Sequence, residues 1–332
     1  MLEHSFHIGS VQIRNRAILA PMSGISDLPF RRLAWRYGAG LVVTEMVASR
    51  ELLCNRKESW IRLKGDGISP HVVQLAGCEA KWMHEAAIIA EARGADVIDI
   101  NMGCPAKKVT GGYSGSALMR NPDHALELIE ATVSAVKVPV TVKMRLGWDE
   151  GSINAPMLAS RAESAGAQMI TVHGRTRSQF YKGKADWQAI RAVREEISVP
   201  LVANGDVETA SDVKAILTAS GADAVMIGRS AQGRPWLVGE LAGHKSAPRT
   251  QTEILEFVLE HYAMNLEHHG AEIGLRHFRK HLGWYLQRHV TQCCGDLKAQ
   301  IMTSNETAEV VELLTRAFLS GKEPSKTDRV AA

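Results

Sequence analysis

The chain has 332 residues, more than one typical domain and fewer than three, and is long enough to bury about three quarters of its unfolded surface. With 39 Lys and Arg against 36 Asp and Glu, the net charge of +3 excludes a polybasic protein that holds nucleic acid by bulk charge, though not a local basic face. A content of 45% hydrophobic and 23% charged residues excludes a disordered chain, and no apolar run of about 18 residues is present to span a membrane.

The N-terminus carries Glu3, His4 and His7 and lacks the basic start and apolar stretch of a secretory signal. Five cysteines occur, Cys54, Cys78, Cys104, Cys293 and Cys294, with no CxxC pair. Neither a disulfide framework nor a metal site is indicated, and the chain is expected to work in a reducing cytoplasm.

Eight short apolar runs follow in order, at 18–22, 41–46, 72–75, 97–100, 140–144, 169–172, 201–203 and 224–227. They are apolar throughout rather than alternating, as strands buried on both faces should be. Helix-like segments separate them, at 27–37, 79–93, 122–136, 154–165, 186–196 and 209–218. Gly38, Gly94, Gly166 and Gly221 stand where left-handed caps would close such helices. Eight βα units predict a parallel (β/α)₈ TIM barrel, with an open doubly wound sheet as the competing arrangement. The strand ends favour the barrel, because they carry the chemically capable residues: Pro21-Met22, Glu45, Gln74, Asn101, Lys143-Met144-Arg145, His173, Asn204-Gly205-Asp206 and Gly228-Arg229. Barrel active sites are built at that rim.

The barrel is assigned to residues 1–243 and a linker to 244–250. An all-α helical domain follows over 251–320, with helices near 253–267, 274–290, 297–302 and 305–319, and a polar tail over 321–332. Between residues 274 and 300, Arg276, Arg279, Lys280, Arg288 and Lys298 face one acidic residue, Asp296, a net of +4. Helical spacing puts Leu275, Phe278, Leu282 and Leu286 on one face. Arg276, Lys280, Trp284 and Arg288 fall on the other, joined by His277 and His281. Such a face suits a phosphate backbone, or is an ordinary solvated surface.

Asn204-Gly205-Asp206 and Gly228-Arg229, at the ends of strands seven and eight, sit where many barrels hold a phosphate. Lys143 and Arg145 alternate on one side of strand five. The lysine suits a Schiff base or, with His173 beside it, contact with an anionic cofactor. Cys104 follows strand four in Asn101-Met102-Gly103-Cys104-Pro105. An ordinary thiol, titrating near about 8.5, is mostly protonated at neutral pH and able to donate; a nucleophile or a buried structural cysteine are the other readings. His173-Gly174-Arg175-Thr176-Arg177 faces RNA or is a solvated loop.

On these residues the chain resembles the bacterial tRNA-dihydrouridine synthases, most closely their B-type branch. The matching segments are Ala20-Pro21-Met22-Ser23-Gly24-Ile25-Ser26-Asp27, Gln74-Leu75-Ala76-Gly77, Asp99-Ile100-Asn101-Met102-Gly103-Cys104-Pro105 and Val142-Lys143-Met144-Arg145. Val172-His173-Gly174-Arg175-Thr176-Arg177, Ala203-Asn204-Gly205-Asp206, Ile227-Gly228-Arg229 and, in the tail, Arg279-Lys280-His281-Leu282-Gly283-Trp284-Tyr285 complete the set. Ser23 and Ser26 replace the more usual Ala and Thr.

The resemblance implies bound FMN, lined by Pro21, Met22 and Ser23 and hydrogen-bonded by Gln74. Lys143 would meet the N1/O2 edge with His173 close by, and Asn204, Gly205, Asp206, Gly228 and Arg229 would hold the phosphate. It implies reduction of the C5=C6 bond of specific uridines in the tRNA D-loop, with hydride from reduced flavin reaching C6 and a proton from Cys104 reaching C5. NADPH would restore the flavin, and the lack of a GxGxxG fingerprint fits a transient reductant. Asn101, Arg145, Arg175 and Arg177 would contact the uridine or its phosphates, and Arg276, Lys280 and Arg288 the tRNA. The chain is expected to act as a monomer. A barrel oxidoreductase of a small pyrimidine, resembling dihydroorotate dehydrogenase, is the other enzymatic reading; it would not need the basic tail.

Overall fold

The computed structural model describes residues 2–244, 246–290 and 294–319; the polar segment 321–332 and Cys293 lie outside them. Two compact units result, Met1–Ala231 with Trp236–Ser246, and Gln232–Pro235 with Ala247–Ala332.

The first unit opens with an antiparallel hairpin, β1 (Phe6–Ile8) and β2 (Val11–Ile13). Nine parallel segments follow: β3 (Ala17–Leu19), β4 (Leu41–Val42), β5 (Val47–Ala48), β6 (Val72–Ala76), β7 (Val97–Met102), β8 (Val140–Arg145), β9 (Ile170–His173), β10 (Leu201–Asn204) and β11 (Ala224–Ile227). They form one sheet in the order β4-β3-β11-β10-β9-β8-β7-β6-β5. It curls closed because β4 and β5 are two parts of one passage, with Val43 between them pairing in parallel with Val72. Eight barrel positions result, and the fold is a (β/α)₈ barrel.

Among the described residues this unit has ten α-helices: α1 (Leu28–Arg36), α2 (Ser49–Leu53), α3 (Lys57–Arg62), α4 (Ala80–Ala92), α5 (Lys107–Thr110), α6 (Pro122–Ala135), α7 (Ala155–Ser164), α8 (Arg191–Glu196), α9 (Ala210–Ser220) and α10 (Leu237–Leu241). Local chemistry sets their ends. Asp27 caps α1 by accepting the Phe30 N–H, and Thr209 with Asp212 forms a capping box on α9. Gly221 closes α9 at φ +68°.

Outward strand residues such as Val73, Ile98, Val142 and Val172 pack under these helices in one apolar layer. Inward residues form a second, smaller cluster from Ile18, Leu41, Val72, Val97, Met169, Val202 and Ala224. Phe6, Ile8 and Ile13 of the hairpin join that cluster. The hairpin thus seals the N-terminal end of the barrel, a role its short sequence did not announce.

Several elements are shorter than the periodicity predicts, among them the strand expected over 41–46, which stops at Val42 apart from the bridge at Val43. β3 stops at Leu19 because the Met22 N–H turns to Ser26 Oγ, 2.7 Å away. Residues 186–190 do not join α8, because the Asp186 N–H donates to Gly174 O and Trp187 Nε1 to Gly205 O.

The second unit contains α11 (Gln251–His269), α12 (Ala271–His289), α13 (Gly295–Thr303) and α14 (Thr307–Leu319). Its core is made by Phe257, Val258, Tyr262, Phe278, Leu282, Tyr285, Leu286, Leu314 and Phe318. His281 belongs to this core, at 1% exposure, stacked on Phe278. The expected outward position of His281 is therefore corrected. The buried face of α12 is wide enough to include it, since Tyr285 is buried too. Among the described residues no helix is long and apolar enough to cross a membrane.

Candidate active site

Parallel register sets the side chains that point into the barrel. Gln74, Asp99 and Thr141 lie at one level, and Asn101, Lys143 and Thr171 at the next. Arg145, His173 and Asn204 form the level nearest the strand ends. The apolar inner cluster below thus gives way to buried polar groups above.

Lys143 is the charge at the centre of this set. Its Nζ donates to Asn204 Oδ1 at 3.2 Å, and Asn204 is held by its own Nδ2 donating to Met226 O at 2.8 Å. Burial, and then the Arg145 charge, lower Lys143 to about 8, against the opposing pull of Asp99 and Cys104. Burial, Lys143 and Arg145 also push His173 well below its usual range, so its imidazole is neutral at pH 7. Arg175 Nη1 lies 3.3 Å from His173 Nε2. A guanidinium only donates, so Nε2 accepts and the ring proton is assigned to Nδ1.

The ends of β10 and β11 form a second focus. Gly205 takes φ +129°, and a side chain there would meet Ala185 Cβ at 2.6 Å and His173 Cδ2 at 3.0 Å. Asp206 follows at φ +54°. Its Oδ2 accepts from Arg175 Nη2 at 2.5 Å and from the Ala185 N–H at 2.8 Å, and Arg229 Nη2 lies 3.4 Å from Oδ1. Arg175 is buried by this contact and by bonds to Lys182 O and Gly183 O. Arg229 remains half exposed, 4.7 Å from the Tyr181 ring centre.

The loop after β7 is pinned at both ends. Asn101 Oδ1 accepts the N–H groups of Gly103 and Cys104 at 3.2 and 3.0 Å. Ser116 Oγ and N–H both donate to Cys104 O. Cys104 is itself partly exposed. On the opposite rim, Glu45 Oε1 accepts the Gly24 N–H at 2.5 Å and steadies the turn carrying Pro21, Met22 and Ser23. Pro21 and Met22 are partly buried there and Ser23 is exposed.

Of the arginines expected to face RNA, two are buried. Arg145 donates to Gly103 O, Thr176 O and Phe180 O, tying the β7 and β9 loops together, and Arg175 serves Asp206. Arg177 differs: its guanidinium lies 4.6 Å from the Trp148 ring centre, with Arg120 4.9 Å from the same ring. Neither Trp148 nor Arg120 carried a sequence signal. In the second unit, Arg276 and Arg288 are exposed and Lys280 half-buried. Arg276 is 3.6 Å from Glu272, and Arg288 Nε donates to Gln232 O at 2.6 Å. Arg279 is taken up by Ser304 O and Asn305.

The residues fit a flavin nucleotide. The Lys143 ammonium is 9% exposed with one acceptor among the described residues, so its remaining N–H groups suit an electron-rich ring edge. A side chain at Gly228 would meet only Ala20 and Met22, at 3.7 and 4.0 Å, leaving close backbone approach open beside Arg229. Among the described residues no cluster of His, Cys, Asp or Glu could hold a metal ion.

The closed parallel sheet, with its buried polar groups gathered at the strand ends, defines a (β/α)₈ barrel of the enzyme type. Morphinone reductase shares this fold, with a TM-score of 0.54 at 16% identity over 76% of this chain and 92% of its own. The family described as dihydrouridine synthase matches residues 18–322. A probable tRNA-dihydrouridine synthase of Rhizobium leguminosarum bv. phaseoli is 65% identical over 311 residues, 94% of this chain and 98% of that one. tRNA-dihydrouridine synthase B of Pseudomonas aeruginosa is 45% identical over 285 residues, 84% and 86% of the two chains. The chain belongs to the dihydrouridine synthase family.

Proposed function

We propose that the protein is an FMN-dependent tRNA-dihydrouridine synthase acting on uridines of the tRNA D-loop. The observation that carries this reading is the placement of Lys143 and the Cys104 loop on the inner side and rim of one barrel mouth, joined through Asn101. When bound, FMN supplies hydride to C6 of the uracil and is restored by NADPH.

The chain's own residues divide the remaining tasks. Lys143, charged below about 8, would hold the electron-rich edge of the flavin. Neutral His173 contributes hydrogen bonding without adding charge beside Lys143. Gln74 would hold the flavin from the inner wall, and Pro21, Met22 and Ser23 would line its site. Arg229, with the backbone at Asn204, Gly205 and Gly228, would hold the phosphate, and Asp206 keeps Arg175 and Arg229 in register. Cys104 donates the proton to C5 from the opposite side of the base, a contribution of about 10²–10⁴ in rate for a positioned acid.

The substrate uridine must leave the tRNA stack to enter the mouth, at a cost of a few kcal/mol. Asn101 reads the extruded base. Arg145 acts through the loops it ties together, and Arg177 with Trp148 offers a stacking and phosphate contact. Arg276, Lys280 and Arg288 on α12 give the helical unit a phosphate-facing side. The protein acts as a cytoplasmic monomer, in which residues 1–243 carry the chemistry and 251–320 help hold tRNA. Loading the purified protein with FMN and following dihydrouridine formation in unmodified tRNA with NADPH tests the reading; a protein that binds no flavin, or that leaves tRNA unchanged, overturns it.

A further inference from the structure

A series of hydrogen bonds inside the barrel links a residue without an assigned role to the Cys104 loop. Asp99 lies two residues before Asn101 on the inward side of β7, at 3% exposure. Its Oδ1 accepts from Thr141 Oγ1 at 2.6 Å and its Oδ2 from Gln74 Nε2 at 2.7 Å. A carboxylate only accepts, so Gln74 must turn its NH₂ toward Asp99 and its Oε1 away. That Oε1 accepts from Asn101 Nδ2 at 2.7 Å. Asn101 Oδ1 is then left facing the loop, where it accepts the Gly103 and Cys104 N–H groups.

The two ends of a side-chain amide have nearly the same shape, so packing alone does not choose their orientation. A hydroxyl in place of Asp99 could donate or accept, and would leave Gln74 able to flip. Reversing both amides would point an NH₂ group at two backbone N–H groups, which cannot bond to it. We propose that Asp99 is a positioning residue for Cys104: it sets the Gln74 and Asn101 amides in series and so holds the first turn of the Cys104 loop at the barrel mouth. The proposal rests on the reading of Cys104 as proton donor. Burial raises Asp99 to about 6, with Thr141, Gln74 and the Lys143 charge opposing, so the acceptor-only form prevails above neutrality. Lys143 on the next level, Arg145 and His173 on the level beyond it and Cys104 past the end of β7 are the titratable groups on that side of Asp99.

The test compares FMN-loaded native protein with Asp99→Leu, Asp99→Asn, Gln74→Leu and the Asp99→Leu/Gln74→Leu pair at pH 8. Two quantities are read: the rate of Cys104 alkylation by iodoacetamide, resolved from Cys54, Cys78 and Cys294 by peptide mass spectrometry, and single-turnover reduction of tRNA after the flavin is reduced with NADPH. Asp99→Leu changes Cys104 alkylation about threefold or more and slows turnover about tenfold or more, while the other cysteines keep their rates. Asp99→Asn restores either only in part, because its amide keeps the shape but can present its NH₂ as well as its Oδ1 to Gln74. The pair is no worse than the worse single variant, as links of one series should be.

A folded Asp99→Leu with native alkylation and turnover overturns the proposal, and so do additive losses in the pair. Should Asp99→Leu not fold, Gln74→Leu decides alone, since native Cys104 alkylation in it breaks the series. A fully active Cys104→Ala removes the proton-donor reading instead, while an alkylation change in Asp99→Leu still upholds the positioning.

Discussion

Arg175 and Asp206 meet at 2.5 Å between two neighbouring strand ends, and the same carboxylate lies 3.4 Å from Arg229. Arg175 is buried and Arg229 half exposed, so the carboxylate balances the inner guanidinium and leaves the outer one facing outward. Arg175→Met leaves Asp206 to repel a phosphate at that rim and frees the 182–183 backbone. FMN affinity should fall about tenfold or more, read by flavin fluorescence. Arg175→Lys should restore little of it, because one ammonium cannot reach Lys182 O, Gly183 O and Asp206 in the same planar fork. Native affinity in Arg175→Met would show that the pair plays no part in cofactor retention.

Cys104→Ala should keep its flavin and its rate of flavin reduction by NADPH, yet lose dihydrouridine formation by about 10²-fold or more. Stopped-flow absorbance follows the first step and mass spectrometry of digested tRNA the second. Equal loss in both steps would mean that the thiol supports the site rather than donating.

Lys143 makes a prediction about stability. Its folded pKa is lowered to about 8, whereas an unfolded lysine titrates at about 10.4. Between those values the unfolded chain binds more protons, so this group makes the flavin-free protein more stable as pH rises from about 8 to 10. Urea unfolding of the native protein and of Lys143→Met should therefore differ by an amount that changes in favour of the native lysine across that window. A constant difference would mean that the lysine is not desolvated.

On the RNA side, Trp148→Ala removes the ring between Arg120 and Arg177 and should weaken tRNA binding about fivefold without changing flavin content. Lys280→Glu on α12 should weaken binding and lower the salt dependence by about one unit of slope. Arg288→Glu should also destabilise the helical unit, since its Nε holds Gln232 O. Filter binding across a salt series, alongside thermal melting, separates these effects.

The barrel was legible because each strand is mostly apolar and each ends in residues that a plain turn does not need. The hairpin was not, since Phe6, Ile8 and Ile13 are three apolar residues whose use depends on the barrel end they seal. Lys143, Asn204, Gly205, Asp206 and Arg229 could be grouped because strand order alone brings their ends to one rim. The buried state of Arg145 and Arg175 could not be read, because it depends on carbonyls that the 176–183 loop presents only once folded. Asp99 did carry a signal: an acid inside an apolar run, two residues from Asn101, asks for partners across the barrel.

Mapping dihydrouridine in tRNA from cells lacking this gene, complemented with the native protein or with Cys104→Ala, tests the central claim most directly. The account predicts that dihydrouridine disappears from D-loop positions, returns with the native chain and stays absent with Cys104→Ala. Unchanged dihydrouridine in tRNA from the deletion strain, with no other enzyme supplying it, would contradict the account.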